Sequence, residues 1–138
     1  MSELREFAAS TYNRAFELVV EGSPEDVIEG LELAAASLQA WRKVGTDKNV
    51  AIGLWLYSRA LFKSGLQQQA IAVAEESLKL ATLDGTDWLI ASSLEGLARA
   101  SQNQESFDSL RQQAEAAIAA IADAEDRQLI ADQFSDLR

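Results

Sequence analysis

The acidic side chains are the residues of this chain most able to do chemistry, because the chain contains no histidine and no cysteine. It therefore lacks thiolate nucleophiles, the usual zinc and haem ligands, and the side chain best suited to proton transfer near neutral pH. Acidic clusters that could bind a cation or act as an acid–base pair are Glu25 with Asp26, Glu75 with Glu76, and Asp123 with Glu125 and Asp126. Adjacent residues on a helix point in different directions, and no cluster has a histidine partner. We interpret all three clusters as solvated helix surface.

Sequence motifs that bind phosphate, zinc or calcium, or that activate a serine or a cysteine, do not occur in this chain. The glycines outside the predicted turns, Gly30, Gly53 and Gly96, lie within helical apolar stripes, where close helix packing explains them. We therefore predict no catalytic residue, no metal and no cofactor. The chain is not expected to be an enzyme.

Length and charge limit the remaining function classes. A chain of 138 residues with 48% hydrophobic residues can form one domain, over 1–138, with a core that needs no disulfide. The net charge of -10 disfavours binding to nucleic acids and to anionic membrane surfaces. The first residues do not follow a signal-peptide pattern, and the longest apolar run, 50–57, is too short to cross a bilayer. A cytoplasmic protein is expected.

Helix is the one secondary structure that the sequence pattern predicts. Ala, Leu, Glu and Gln are abundant, proline occurs once, and no stretch alternates apolar and polar residues as a strand does. Gly22, Gly45, Gly65 and Gly85 separate the apolar-periodic segments and are predicted to form turns, where a helix C-terminus favours a residue that tolerates positive φ. Ser23, followed by proline and two acids, is the clearest helix start. The segments between these turns predict helices at 3–20, 24–43, 48–64, 67–83, 87–101, 104–121 and 125–136.

The distribution of apolar residues predicts how these helices pack. The second and sixth helices carry apolar residues on one side, whereas the third carries them around most of its circumference and is expected to be central. Short turns would make consecutive helices antiparallel, as three hairpins followed by a final helix. Ile130, Phe134 and Leu137 would let that last helix cover the apolar face of the third hairpin.

The middle hairpin has the residue spacing of a tetratricopeptide repeat, a motif made of packing positions: Leu54, Tyr57, Ser58, Leu61, Gly65, Ala70, Ala74, Ser77 and Thr82. Partial matches in the first and third hairpins are Leu18, Val27, Leu31 and Ala34, and Ile90, Leu97, Ser101 and Leu110. Over about 3–121 the chain resembles a degenerate three-repeat tetratricopeptide-like domain. The resemblance implies an all-α fold of antiparallel hairpins stacked as a short right-handed α-solenoid, with a C-terminal capping helix. A generic helical bundle is the alternative.

The resemblance also implies a concave groove lined by the first helix of each hairpin. The residues at groove-facing positions are Tyr12, Phe16, Trp55, Arg59, Phe62, Lys63, Ser92, Glu95 and Arg99. Arg59 and Lys63 lie four apart on the face that carries Trp55, and this set would suit a peptide carboxylate or an acidic segment. Alternatively, Trp55 and Phe62 are core residues, and the two basic side chains extend past them to water. The family's carboxylate clamp requires a lysine and asparagines where this chain has Trp55 and Arg59, so binding of chaperone C-termini is not expected.

Two hypotheses of function follow. The first is an adaptor or scaffold that binds a peptide or helix of another protein in this groove, which predicts a solvent-accessible Trp55. The second is a self-associating structural protein, a homodimer, that buries the outer face of an end hairpin, with Trp88, Leu89 or the C-terminal helix at the interface.

Overall fold

The computed structural model describes residues 2–137, and over this range the regular structure is entirely helical. Within residues 2–137 seven α-helices follow one another: α1 Glu3–Phe16, α2 Val27–Val44, α3 Asp47–Lys63, α4 Gln67–Asp84, α5 Asp87–Ala100, α6 Phe107–Ala119 and α7 Ala124–Phe134. A π-helical segment, Glu17–Glu21, extends α1, and short 3-10 turns at Pro24–Asp26 and Ser135–Leu137 precede α2 and follow α7. The predicted all-α class is confirmed.

Local capping interactions start helical structure where the sequence predicts: the 3-10 turn Pro24–Asp26, which continues into α2, and helix α3. The Asp26 carboxylate accepts a hydrogen bond from the Ser23 backbone N–H at 3.0 Å. Thr46 and Asn49 form a reciprocal capping box, in which each side chain accepts a hydrogen bond from the other's backbone N–H. The sixth helix begins later than predicted, at Phe107. Asn103 has a φ of 66°, a left-handed conformation that cannot belong to an α-helix.

The four glycines that separate the predicted helices all lie at turns, but two different structural reasons account for them. Gly65 and Gly85 have φ values of 83° and 86°, as the sequence predicts. Gly22 and Gly45 have negative φ, so the prediction of positive φ is wrong for them. At Gly45 there is no room for a side chain, because a Cβ there would lie 2.8 Å from the Trp41 carbonyl oxygen.

The third helix is central, as its apolar circumference predicts. It packs against α1, α2, α4 and α5, and Ala51, Leu56 and Ala60 have no exposed surface. Packing is most extensive within three pairs of consecutive helices: α1 with α2, α3 with α4, and α5 with α6. Within residues 2–137 no helix combines the length and the apolar character needed to cross a membrane.

The last helix contacts α5 and α6. Ile130, Phe134 and Leu137 are buried in one apolar cluster with residues of those two helices, which confirms the predicted contact. Leu89, proposed above for an exposed interface, is only 1% exposed, and that expectation is wrong. It packs with Ala51 and Ala81, because α5 lies against both α3 and α4.

Candidate functional site

A buried ion pair on α5 organises one face of the protein. Glu95 has no exposed surface and Arg99, one turn later, is 8% exposed. The Arg99 Nε donates a hydrogen bond to Glu95 Oε2 at 2.7 Å. Its terminal nitrogens donate to the two carboxylate oxygens of Asp136 at 2.9 and 2.8 Å. Arg99 therefore ties α5 to the turn after α7, with the bidentate geometry that guanidinium and carboxylate favour.

The second carboxylate oxygen of Glu95 accepts a hydrogen bond from a residue of the central helix, α3. Trp55 donates its Nε1–H to Glu95 Oε1 at 3.1 Å, so both oxygens of this buried carboxylate accept a hydrogen bond. A Cβ at Gly96 would lie 2.8 Å from Trp55 Cδ1, so glycine is what lets α5 approach the indole. Phe16 stacks on Trp55 with ring centroids 6.2 Å apart. Because α1 and α5 enclose it, Trp55 is only 6% exposed, and the expectation of a solvent-accessible Trp55 is wrong.

The charges of this network are stabilised by their mutual contacts. Burial of the Arg99 guanidinium would lower its pKa, but the hydrogen bonds to Asp136 and the negative charge of Glu95 raise it above the ordinary value. The hydrogen bonds from Arg99 lower the pKa of Asp136. Arg99 and Asp136 are therefore both charged at neutral pH.

Two further cations lie on α3 beyond Trp55. The Arg59 guanidinium carbon is 5.7 Å from the centre of the Trp55 ring, and burial lowers the pKa of this arginine. Its Nε is buried, and among residues 2–137 it has no hydrogen-bond partner. Lys63 is exposed and donates to the Val19 carbonyl oxygen. Burial and then repulsion from Arg59 and Arg99 lower the pKa of Lys63. Three cations thus share this face with two carboxylates.

A cleft of about 320 Å³ lies beside Trp55, where α1, α3, α5 and α7 meet. Four aromatic residues line it, together with aliphatic side chains: Tyr12, Phe16, Trp55, Trp88, Ile52 and Leu129. Burial raises the pKa of the Tyr12 phenol, which is therefore neutral. The polar lining includes Asp126 and Gln133, both from α7. The Gln133 Oε1 is buried, and no group in the described part of the chain donates a hydrogen bond to it.

The residues predicted to face a groove lie together on this face, but not all of them are available to a ligand. Tyr12, Phe16, Trp55 and Ser92 line the cleft. Arg59, Phe62 and Arg99 border a second, narrow crevice that Trp55 also lines. Glu95 lies underneath and is fully buried. Trp55 is buried, and both basic side chains extend past it: Lys63 is exposed, and Arg59 is partly exposed with its Nε closed off from water. A role of these residues in binding stays a prediction.

The sequence pattern did not predict that the C-terminal segment supplies Asp136, Gln133 and Leu129 to this face. The Arg99–Asp136 contact joins residues 37 apart, and no periodic pattern relates them. The sequence did contain a signal for the Glu95–Arg99 pair on α5. A glutamate and an arginine four apart, in a stretch of otherwise small and apolar residues, indicate an internal ion pair.

The described residues contain no group of three or more acidic side chains placed to hold a metal ion. In comparisons with known proteins, no family model, no curated protein and no solved structure matches this chain. The tetratricopeptide resemblance stays a prediction from the sequence.

Proposed function

We propose that this chain is a non-enzymatic protein-interaction module, an adaptor or scaffold whose groove binds an acidic peptide or helix of a partner protein. In this proposal the helices form three tetratricopeptide-like hairpins in a short right-handed solenoid, capped by α7. The extensive packing within α1–α2, α3–α4 and α5–α6 supports that arrangement. So does the meeting of α1, α3 and α5, the first helices of the three pairs, around one cleft.

The observation that carries the proposal is the Arg59 guanidinium, for which residues 2–137 provide no salt-bridge or hydrogen-bond partner. Its Nε is closed off from solvent, so a carboxylate supplied by a partner would pair with the terminal nitrogens. Arg99 is already paired with Glu95 and Asp136, so its charge is neutralised within the protein. Arg59 and the exposed Lys63, one turn apart on α3, place two positive charges together on a chain of net charge -10. An acidic segment is the partner whose charge fits.

A binding experiment with a defined probe tests this proposal. Calorimetric titration with a capped tetraglutamate peptide should show binding that weakens with added salt, and capped tetraglutamine should not bind. Arg59→Met keeps an aliphatic side chain beside Trp55 but removes the charge, and it should weaken binding at least about tenfold, the loss expected for one charged hydrogen bond. Lys79→Met, at an exposed position on α4, is the matched control and should leave the affinity unchanged. Equal affinities for wild type and Arg59→Met would contradict the proposal.

A homodimer is the second candidate, and exposed apolar side chains on the first helix favour it. Leu4 and Phe7 lie one turn apart on α1 and are 37% and 48% exposed, on an end of the helix array rather than in the cleft. Light scattering tests this candidate directly. A mass of 15.0 kDa at millimolar concentration would exclude the dimer, whereas a doubled mass that Phe7→Glu reduces to the monomer would support it.

A further inference from the structure

A carboxylate of the chain itself already lies against the basic residues of this face. Asp136, in the turn Ser135–Leu137, accepts hydrogen bonds from both terminal nitrogens of Arg99 at 2.9 and 2.8 Å. This paired contact is the geometry in which a guanidinium binds carboxylates in general, including those of peptides. The Asp136 carboxylate therefore lies where a carboxylate of a bound acidic segment would lie.

Asp136 acts on all three cations of this face. Burial and repulsion between the cations lower the pKa values of Arg59 and Lys63, whereas the negative charge of Asp136 raises both. The third cation, Arg99, contacts Asp136 directly. Any carboxylate that approaches Arg59 and Lys63 is attracted to the same place, because charges of opposite sign attract over several ångströms in a partly buried setting.

The position in front of Arg99 is reachable from solvent. The Asp136 side chain is 62% exposed, whereas the Arg99 side chain is 10% exposed. Arg99 is held independently of Asp136, because it also donates to the buried Glu95 carboxylate and to the Gln133 carbonyl oxygen at 2.7 and 3.1 Å. Rotation of the Asp136 side chain into water would free the terminal nitrogens of Arg99. Helix α7 would stay in place, since its fully buried Phe134 anchors it.

We infer that Asp136 is an internal competitor of the acidic partner: it occupies the Arg99 site, which a glutamate or aspartate of the partner enters when the Asp136 side chain turns to solvent. The inference rests on the proposed function and extends the binding site from Arg59 to Arg99. A lone carboxylate does not displace Asp136, because a group on the same chain competes at a high effective concentration. A segment with several carboxylates also pairs with Arg59, and this additional contact favours the exchange.

The first experiment removes the competitor. Asp136→Asn keeps the size of the side chain but removes its charge, and calorimetric titration should show about threefold to tenfold tighter binding of capped tetraglutamate, the range expected for one net hydrogen bond. Asp132→Asn is the matched control, since it removes the same charge from an exposed position one turn earlier. It should change the affinity by no more than about twofold. If Asp136→Asn binds no more tightly than Asp132→Asn, the inference is overturned.

The second experiment follows the exchange in the wild-type chain. With the protein labelled with carbon-13, saturation with unlabelled tetraglutamate should shift the carboxyl carbon signal of Asp136, because this group leaves Arg99. The signal of Asp132 should stay in place as the internal reference. An unchanged Asp136 signal in the saturated complex would overturn the inference.

The proposed function is tested separately by Arg59→Met. If that variant weakens tetraglutamate binding while Asp136→Asn brings no gain, the Arg59 site stands and the internal competitor fails. If neither wild type nor Asp136→Asn binds the peptide, both fail. Binding by Asp136→Asn alone would support the inference, because the competitor would then block the site completely in wild type.

Discussion

Replacement of Arg99 by methionine should lower the free energy of unfolding more than a surface substitution does. Arg99→Met keeps an apolar side chain of similar length, but it leaves the fully buried Glu95 carboxylate with Trp55 as its remaining partner. Removing one member of a buried ion pair costs about 3–5 kcal/mol, because the other charge stays buried and uncompensated. The lost contact to Asp136 adds less than about 1 kcal/mol, because that carboxylate is 62% exposed and water screens it.

A double variant separates the cost of an uncompensated charge from that of lost packing. Glu95→Met combined with Arg99→Met removes both charges, and it should be less destabilised than Arg99→Met alone, because no unpaired carboxylate is left in the core. The free energy of unfolding is measured by urea titration followed by circular dichroism. Arg111→Met is the matched control, since Arg111 forms a partly exposed i,i+4 pair with Glu115 and should change stability by about 0.5 kcal/mol or less.

Two results would refute this reasoning. If Arg99→Met lowers the free energy of unfolding by no more than the control, the ion pair is not buried in solution as the structure describes it. If the double variant is less stable than Arg99→Met alone, the main contribution of Glu95 is its hydrogen bond to Trp55 and not its charge balance with Arg99.

Three further predictions concern the elements around this pair. Gly96→Ala should destabilise by about 1–3 kcal/mol through overpacking against Trp55, and should shift the tryptophan emission; unchanged stability and emission would contradict the close contact. Because contact with Arg99 lowers the pKa of Asp136, this carboxylate stabilises the protein above its ordinary pKa of 3.8, and the benefit is lost as pH falls below that value. The stability difference between wild type and Asp136→Asn should therefore shrink in acid; a constant difference in pH-dependent urea titrations would argue against it. Thr46→Ala removes a helix cap and should cost about 1 kcal/mol by the same titration, with no effect on peptide affinity.

Local sequence signals predicted most of the helical framework. Helix starts at Ser23 and Thr46 depend on capping hydrogen bonds between residues three apart. These bonds need no contact with distant parts of the chain. The central place of α3 followed from apolar residues around its circumference, which need neighbours on several sides. The start of α6 was predicted three residues early, at 104, because apolar periodicity does not show that residues 104–106 form turns.

The sequence by itself determined an all-helical chain, the positions of its turns and a face that carries aromatic and basic residues, because helical periodicity relates residues close in the chain. The tertiary structure decided which of those residues are buried and which have hydrogen-bond or ion-pair partners. Trp55 meets Glu95 across 40 residues and Arg99 meets Asp136 across 37, so both contacts depend on where α5 lies between α3 and the C-terminal segment. That placement buries Trp55, pairs Arg99 and leaves the Arg59 Nε and the Gln133 Oε1 without partners in the described chain. Side-chain pairing between distant helices has no periodic signal, and a single sequence does not reveal it.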